Sequence, residues 1–360
     1  MKKFLIILVA LIFCVGGFLL YFYRQGYPAV ISGDVEPAGE TQPEPEPEPE
    51  PIYNPLTGLE IPEAIHSRVV VVSIDNLKPA RPQSGLSQAD WVYEVPAEGG
   101  ITRYQALFYS QRPDTIGPVR STRPYIVDIC RGWQGLYVHC GWSEDARRYL
   151  QSGVVDYLNE ITYSQYFHRD KSRKAPHNLY TGMDSIYSFL QDKGLAQEQE
   201  PRAFSFYPAG AAIPGQAAET VVFAYPTVTN RYEYDAAEGL YYRYVNDKEQ
   251  RDANNDVWIS CANILVQKVT SQVLDSVGRL KIDMTAGGEA MLFTGGKVQT
   301  GRWKREGLDS ETLFVDEQGR ELKLTPGQTW VQICDQAAEI RYSAPTPPET
   351  AGSEESAGAQ

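Results

Sequence analysis

Residues 69–76 read VVVVSIDN. Four consecutive β-branched residues leave no polar face recurring every 3.6 residues, so the run is not an amphipathic helix. It is short, continuous and apolar, the pattern of a strand buried on both faces. Outward from it, Trp91–Val95 reads as a second strand, Ile101–Ser110 as a third with partial alternation, and Gly135–Cys140 as a fourth. Between them the pattern predicts helices over Ser84–Ala89, Tyr125–Arg131 and Ser143–Gln151. A further helix starts after Thr181, where TGMD makes a loose capping box of Thr181 with Asp184. Strands interleaved with helices predict an α/β domain over residues 52–205.

The pattern then changes. Phe204 to Gly215 is rich in Pro, Gly and Ala and reads as a linker. Beyond it, AETVVFAYP, RYEYD, LYYRYVN, ILVQKVT, EAMLFTGG, GRWKRE and TWVQIC are short strand-like runs broken by turns, with GGK and EQGRE as hairpin signals. The fold class expected is therefore an α/β N-terminal domain followed by a β-rich C-terminal domain over residues 216–342, preceded by an N-terminal transmembrane helix.

That helix is the run FLIILVALIFCVGGFLLYFY, Phe4 to Tyr23, behind Lys2 and Lys3. Twenty residues of helix rise about 30 Å, the thickness of a bilayer core. The two lysines stay cytoplasmic, which places the remainder outside. Residues 1–24 are thus expected to anchor the chain in the plasma membrane, in a single pass with extracytoplasmic domains. Cys14 makes a poor lipid-attachment site because bulky Phe13 precedes it, so an uncleaved anchor is favoured. Residues 25–51, with PEPEPEPEP at 43–51, form an extended Pro/Glu spacer that cannot bury apolar surface. Residues 343–360 are a low-complexity tail. Cys130, Cys140, Cys261 and Cys334 are an even set that permits disulfides outside the cell without specifying them.

The 360-residue chain carries a formal charge of −13, which argues against a nucleic-acid partner. Yet residues 101–180 hold 11 Lys/Arg against 7 Asp/Glu, and three of the four histidines. FHRDKSRKAPHNLYT, residues 167–181, concentrates this charge. Cations recur ahead of predicted helix starts: Lys78 and Arg81, then Arg120 and Arg123 around Pro124, then Arg169 through Lys174. A helix N-terminus is already positive, so cations placed there cost energy unless an anion is bound. The ligand-binding candidates are Arg103, Arg120, Arg123, Arg169, Arg173, His177 and Asn178, gripping phosphate or carboxylate. Internal salt bridges are the plain alternative for each arginine. His139 ends an apolar strand and reads as a hydrogen-bonded core histidine.

Catalysis, if present, rests on Asp75 at a strand end, Glu98 near the next, and His177. Strand-end acids capping the next turn are the bland alternative. No spacing fits a metal motif, no nucleotide or hydrolase fingerprint occurs, and no cofactor is indicated.

The run IDNLKPARPQSGLSQADWVYEVPAEGGITRYQALFYSQRPDTIGPVRSTRPY, the loop FHRDKSRKAPHNLYT and the later GRWKRE and PGQTWVQI together resemble the YerB-like family of bacterial envelope proteins. The resemblance spans about Asn54 to Ile333. It implies an exported, membrane-tethered, two-domain protein and implies no activity. Three functions stay open: binding of an anionic envelope ligand such as a lipid-linked phosphate or wall polymer, hydrolysis or transfer acting on that ligand, and a scaffold role for the β-rich domain.

Overall fold

The structure is a computed structural model that describes residues 50–344. The expected anchor (1–24) lies outside them, as do nearly all of the spacer (25–51) and of the tail (343–360). Among the described residues no helix is long and apolar enough to cross a membrane.

The first half of the sequence contributes β1 (Val70–Asp75), β2 (Trp91–Pro96), β3 (Thr102–Phe108), β4 (Leu136–His139) and β5 (Asp156–Asn159). It also supplies α1 (Pro124–Trp133), α2 (Glu144–Gln151) and α3 (Met183–Asp192). The second half adds β6 (Thr220–Ala224), β7 (Thr229–Asp235), β8 (Leu240–Val245), β9 (Asn263–Val269), β10 (Gly288–Thr294), β11 (Lys297–Lys304) and β12 (Thr329–Asp335). A mixed α/β region is followed by a β-rich, mostly antiparallel one.

β1 is buried at all six positions, as its unbroken β-branched run requires. It lies antiparallel to β3 and parallel to β4, with β2 beyond β3 and β5 beyond β4. The sheet does not stop there. β12 pairs in parallel with β2, Thr329 opposite Trp91 and Gln332 opposite Glu94. One eleven-stranded sheet therefore runs Gln216–Ala217, β11, β10, β9, β12, β2, β3, β1, β4, β5, with Leu313–Val315 added to β11. The described residues from Pro51 onward cluster as one compact unit. A second, six-stranded sheet built around β8, β7 and β6 packs with α3 against one face, while α1 covers the other.

Three local readings change. Ser84–Ala89 is not a helix but a short 3-10 turn over Leu86–Gln88. Gly85 before it sits at φ 90°, and Asp252 from the second half accepts from Gly85 N, Ser87 N and Ser87 Oγ. The capping box ahead of α3 does not form, because Thr181 Oγ1 donates to Tyr166 O at 2.9 Å and Gly182 becomes the N-cap. The linker stretch is pinned rather than loose: Tyr207 N donates to Leu324 O at 2.8 Å, and the Phe204 ring packs 4.6 Å from Trp91. Elsewhere the signals hold. Pro124 opens α1, Ser143 caps α2, and Gly295–Gly296 turn β10 into β11 with both φ positive. Ser343, at the edge of the expected tail, still pairs with Thr220 in a strand. The four described cysteines are unpaired.

Candidate functional site

β1, β2 and β4 run in the same direction, and their carboxyl ends present the polar residues of the sheet. Side chains alternate across a sheet, so Ser73 and Asp75 share the α1 face with Val71. On β3 the matching positions are Arg103 and Gln105, and Asp75 lies directly opposite Arg103. Opposed pairs hold their Cβ atoms about 5 Å apart.

Two ion clusters meet at this point. In the first, Asp75 is nearly buried, and its Oδ2 accepts from His177 Nδ1 at 2.7 Å. Arg120 Nε stands 3.1 Å from the same oxygen without aligning its N–H on it. Asp75 Oδ1 accepts from Leu77 N at 3.0 Å, capping the turn after β1. In the second cluster, Glu98 lies on the turn after β2, where Gly99 and Gly100 at φ 69° and 74° fold the chain back over Arg103. Arg103 Nη2 donates to Glu98 at 3.3 Å; Arg123 donates to it through Nε at 3.1 Å and also through Nη2. Burial alone would raise the Glu98 carboxyl, but the charge of Arg103, with its own backbone bond and Arg123, holds it down at about 2.

The arginines differ in what they leave free. Arg103 is 4 % exposed, and its Nε and Nη1 are buried with no protein partner. Arg120 is a quarter exposed and gives its guanidinium only the Asp75 contact. Arg123 is fully engaged: its Nη1 donates to Thr122 O at 2.6 Å, so Glu98 supplies the anion expected beside the start of α1. Arg173 is a clasp, donating to Ala80 O at 3.0 Å and Pro82 O at 2.8 Å. Arg169 pairs with Glu160 and donates to Asn178 Oδ1, while Asn178 Nδ2 ties down Asp170 O and Arg173 O. The expected ligand set thus divides. Arg103, Arg120 and His177 converge with Asp75, whereas Arg123, Arg169, Arg173 and Asn178 hold the surrounding loops.

Beneath lies a polar floor that sequence reasoning passed over. Gln105 Nε2 donates to Ser73 Oγ, and Tyr137 OH lies 3.2 Å from Gln105 Oε1 and 2.7 Å from Thr122 Oγ1. These residues sit inside apolar strand patterns; only their period-2 alignment with Asp75 and Arg103 marks them. His139 is the buried core histidine expected, with Nδ1 on Gly141 O at 3.0 Å.

Chemically, a carboxylate that fixes one imidazole nitrogen orients the other, the arrangement of a positioned base or acid. The unpartnered nitrogens of Arg103 and Arg120 beside it can donate to an anion. Among the described residues, no group of three or more His, Cys, Asp and Glu is placed to hold a metal.

Family models for a "Protein of unknown function (DUF3048) N-terminal domain" and the corresponding C-terminal domain match residues 56–196 and 220–331. The chain is 37 % identical over 285 residues to "Putative lipoprotein YerB" of Bacillus subtilis (strain 168), covering 78 % of this chain and 85 % of that one. It is also similar to the crystal structure of YerB protein from Bacillus subtilis, with a TM-score of 0.73 and 34 % identity, over 81 % of this chain and 99 % of that one.

Proposed function

This chain belongs to the YerB-like family with DUF3048 domains, and from that premise we propose that it is a membrane-tethered extracytoplasmic protein that binds an anionic envelope ligand at Arg103, Arg120 and His177. The observation that carries the binding reading is Arg103, buried with two guanidinium nitrogens unpartnered. A buried charged donor without a partner is costly, and an anion reaching it would remove that cost.

Thermal unfolding separates the site from its clasps. Arg120→Ala leaves His177 on Asp75, so stability should change by less than about 1 kcal/mol, and any stabilisation by added phosphate should disappear. Arg173→Ala removes charge-assisted bonds to two carbonyls and should cost roughly 2 kcal/mol with or without phosphate. If phosphate stabilises wild type and Arg120→Ala equally, or neither, the ligand reading fails.

The tether rests on the apolar run Phe4–Tyr23 and on the relative's printed name, a lipoprotein. That name supports a lipid on Cys14 as an alternative to the spanning helix. Protease added to intact protoplasts should digest the folded part in either case, and full protection would remove the topology. The Asp75–His177 contact supports a second reading, hydrolysis or transfer on the bound anion. Release of phosphate from 4-nitrophenyl phosphate that is lost in His177→Gln would establish it; no release from saturating substrate would leave binding alone.

A further inference from the structure

β3 is antiparallel to both β1 and β2, and β12 is parallel to β2, so β1, β2 and β12 end at the same edge of the large sheet. At that edge, beside the arginine cluster, the fold encloses a cavity of about 500 Å³, within the range of small-ligand sites. Its walls include Ala97, Ile101, Ala224, Tyr225, Leu280 and Cys334 and are mainly apolar.

One turn joins cavity and cluster. Glu98 reaches towards Arg103 and Arg123, while its neighbours Gly99 and Gly100 line the cavity. Gly99 has no side chain to stand between the two spaces, and nothing lies within 4 Å of where its Cβ would sit, whereas Gly100 is packed against Pro226 of the cavity wall. The Ser271–Ile282 hairpin lies against the same turn: a side chain added at Gly278 would meet the Gly99 backbone. That hairpin exposes Val273 (63 %), Leu274 (51 %) and Val277 (69 %) to solvent, and Val273 and Leu280 continue into the cavity wall. Three exposed aliphatic side chains running into an apolar cavity form one apolar surface.

Charge sets the orientation of an occupant. The lining holds no lysine or arginine, and its charged groups are the carboxylates Asp335 and Glu339. Asp335 accepts from Ser271 Oγ and Ala337 N, whereas Glu339 is exposed. A negative head group is repelled from this end; at the Gly99–Gly100 turn the charge of Glu98 is already matched by Arg103 and Arg123, so the remaining donors of Arg103 and Arg120 attract it.

We propose that the ligand is an anionic amphiphile, a single hydrocarbon chain seated in this cavity with its phosphate on Arg103 and Arg120. The inference rests on the anion-site reading and adds the chain.

The test is calorimetric titration of the full chain in amphipol with octyl phosphate, inorganic phosphate and octanol, so that the N-terminal segment is common to every sample. Wild type should bind octyl phosphate at least tenfold more tightly than either single-function probe. Ala224→Trp, which fills the cavity from an exposed strand-end position, should lose that tenfold and keep its phosphate affinity; Ala337→Trp serves if Ala224→Trp is misfolded. Arg120→Gln should lose the phosphate contribution and bind octyl phosphate no better than octanol. Unchanged octyl phosphate affinity in both tryptophan variants, with phosphate still bound, would overturn the chain site and leave the anion site standing. Equal affinity for octyl phosphate and octanol would overturn the amphiphile by removing its head-group contact.

Discussion

Arg243→Ala should lower unfolding free energy by roughly 3–5 kcal/mol, the cost of leaving a buried carboxylate without its countercharge. Arg243 and Glu94 are both 0 % exposed, with Nη2 2.7 Å from Oε2. Every nitrogen of the guanidinium is used. Nε donates to Gln250 Oε1 at 2.7 Å, Nη1 to Tyr232 OH at 3.0 Å, Nη2 also to Tyr104 OH at 3.2 Å, and the cation lies 4.5 Å from the Trp330 ring. Glu94 in turn accepts from Asn76, Thr102 and Asn230. Removing the arginine strands this whole acceptor set in a place water does not reach. The partners come from β2 and β8, so the pair fastens the second sheet onto the large one. Denaturant unfolding should show one transition moved to lower concentration with its slope kept. A loss below about 1 kcal/mol would mean the pair is hydrated in solution. Replacing both members with methionine should recover much of the loss, because two apolar side chains strand no charge.

Much of the first region was legible because its signals are local. The β-branched run of β1, Pro124 at the start of α1 and Ser143 ahead of α2 each act within a turn or a strand of themselves. The joining of the two regions was not legible, since β12 meets β2 across more than two hundred residues and nothing in either strand names its partner. The same holds for Ser84–Ala89, where Asp252, distant in sequence, binds the Gly85 and Ser87 amides around a short 3-10 turn. Of the site, residue types were readable and roles were not. Asp75, Glu98, Arg103, Arg120 and His177 were selected from strand ends and charge, and they do adjoin one another. Sequence could not distinguish Arg103, left with free nitrogens, from Arg173, bound to two carbonyls. That difference is set by the backbone of Ala80 and Pro82, folded beneath it from far along the chain. Nor does the sequence mark the adjoining cavity, whose walls come from four separated segments.

Acidification should destabilise the fold in two windows, the first carried by His139. Its ring is 0 % exposed and stacks 5.2 Å from Tyr137, with Trp142 and Tyr157 at 5.5 and 5.7 Å. Burial pushes its pKa down to about 4, against a smaller opposing effect of the Gly141 carbonyl. The unfolded chain, with an ordinary value of about 6.5, therefore binds more protons than the folded one between these limits. Stability is complete above about pH 6.5 and falls as pH drops towards 4, by roughly 3 kcal/mol over the window. Below that the histidine contributes no further slope. Glu98 acts next in the opposite chemical sense: its lowered carboxyl stabilises above its unfolded value near 4.5 and loses that contribution as pH falls to about 2. His139→Gln does not titrate, so its stability should run level between pH 6.5 and 4.5 while wild type declines. Parallel curves for the two proteins would show that His139 does not carry the first window. The consequence reaches the arginines. Gly141 O also accepts from Thr122 N at 3.1 Å, and Arg120 O from Cys140 N at 3.1 Å. Protonating the buried ring thus loosens the segment that presents Arg120, and phosphate stabilisation should fade in the same window in wild type but not in His139→Gln.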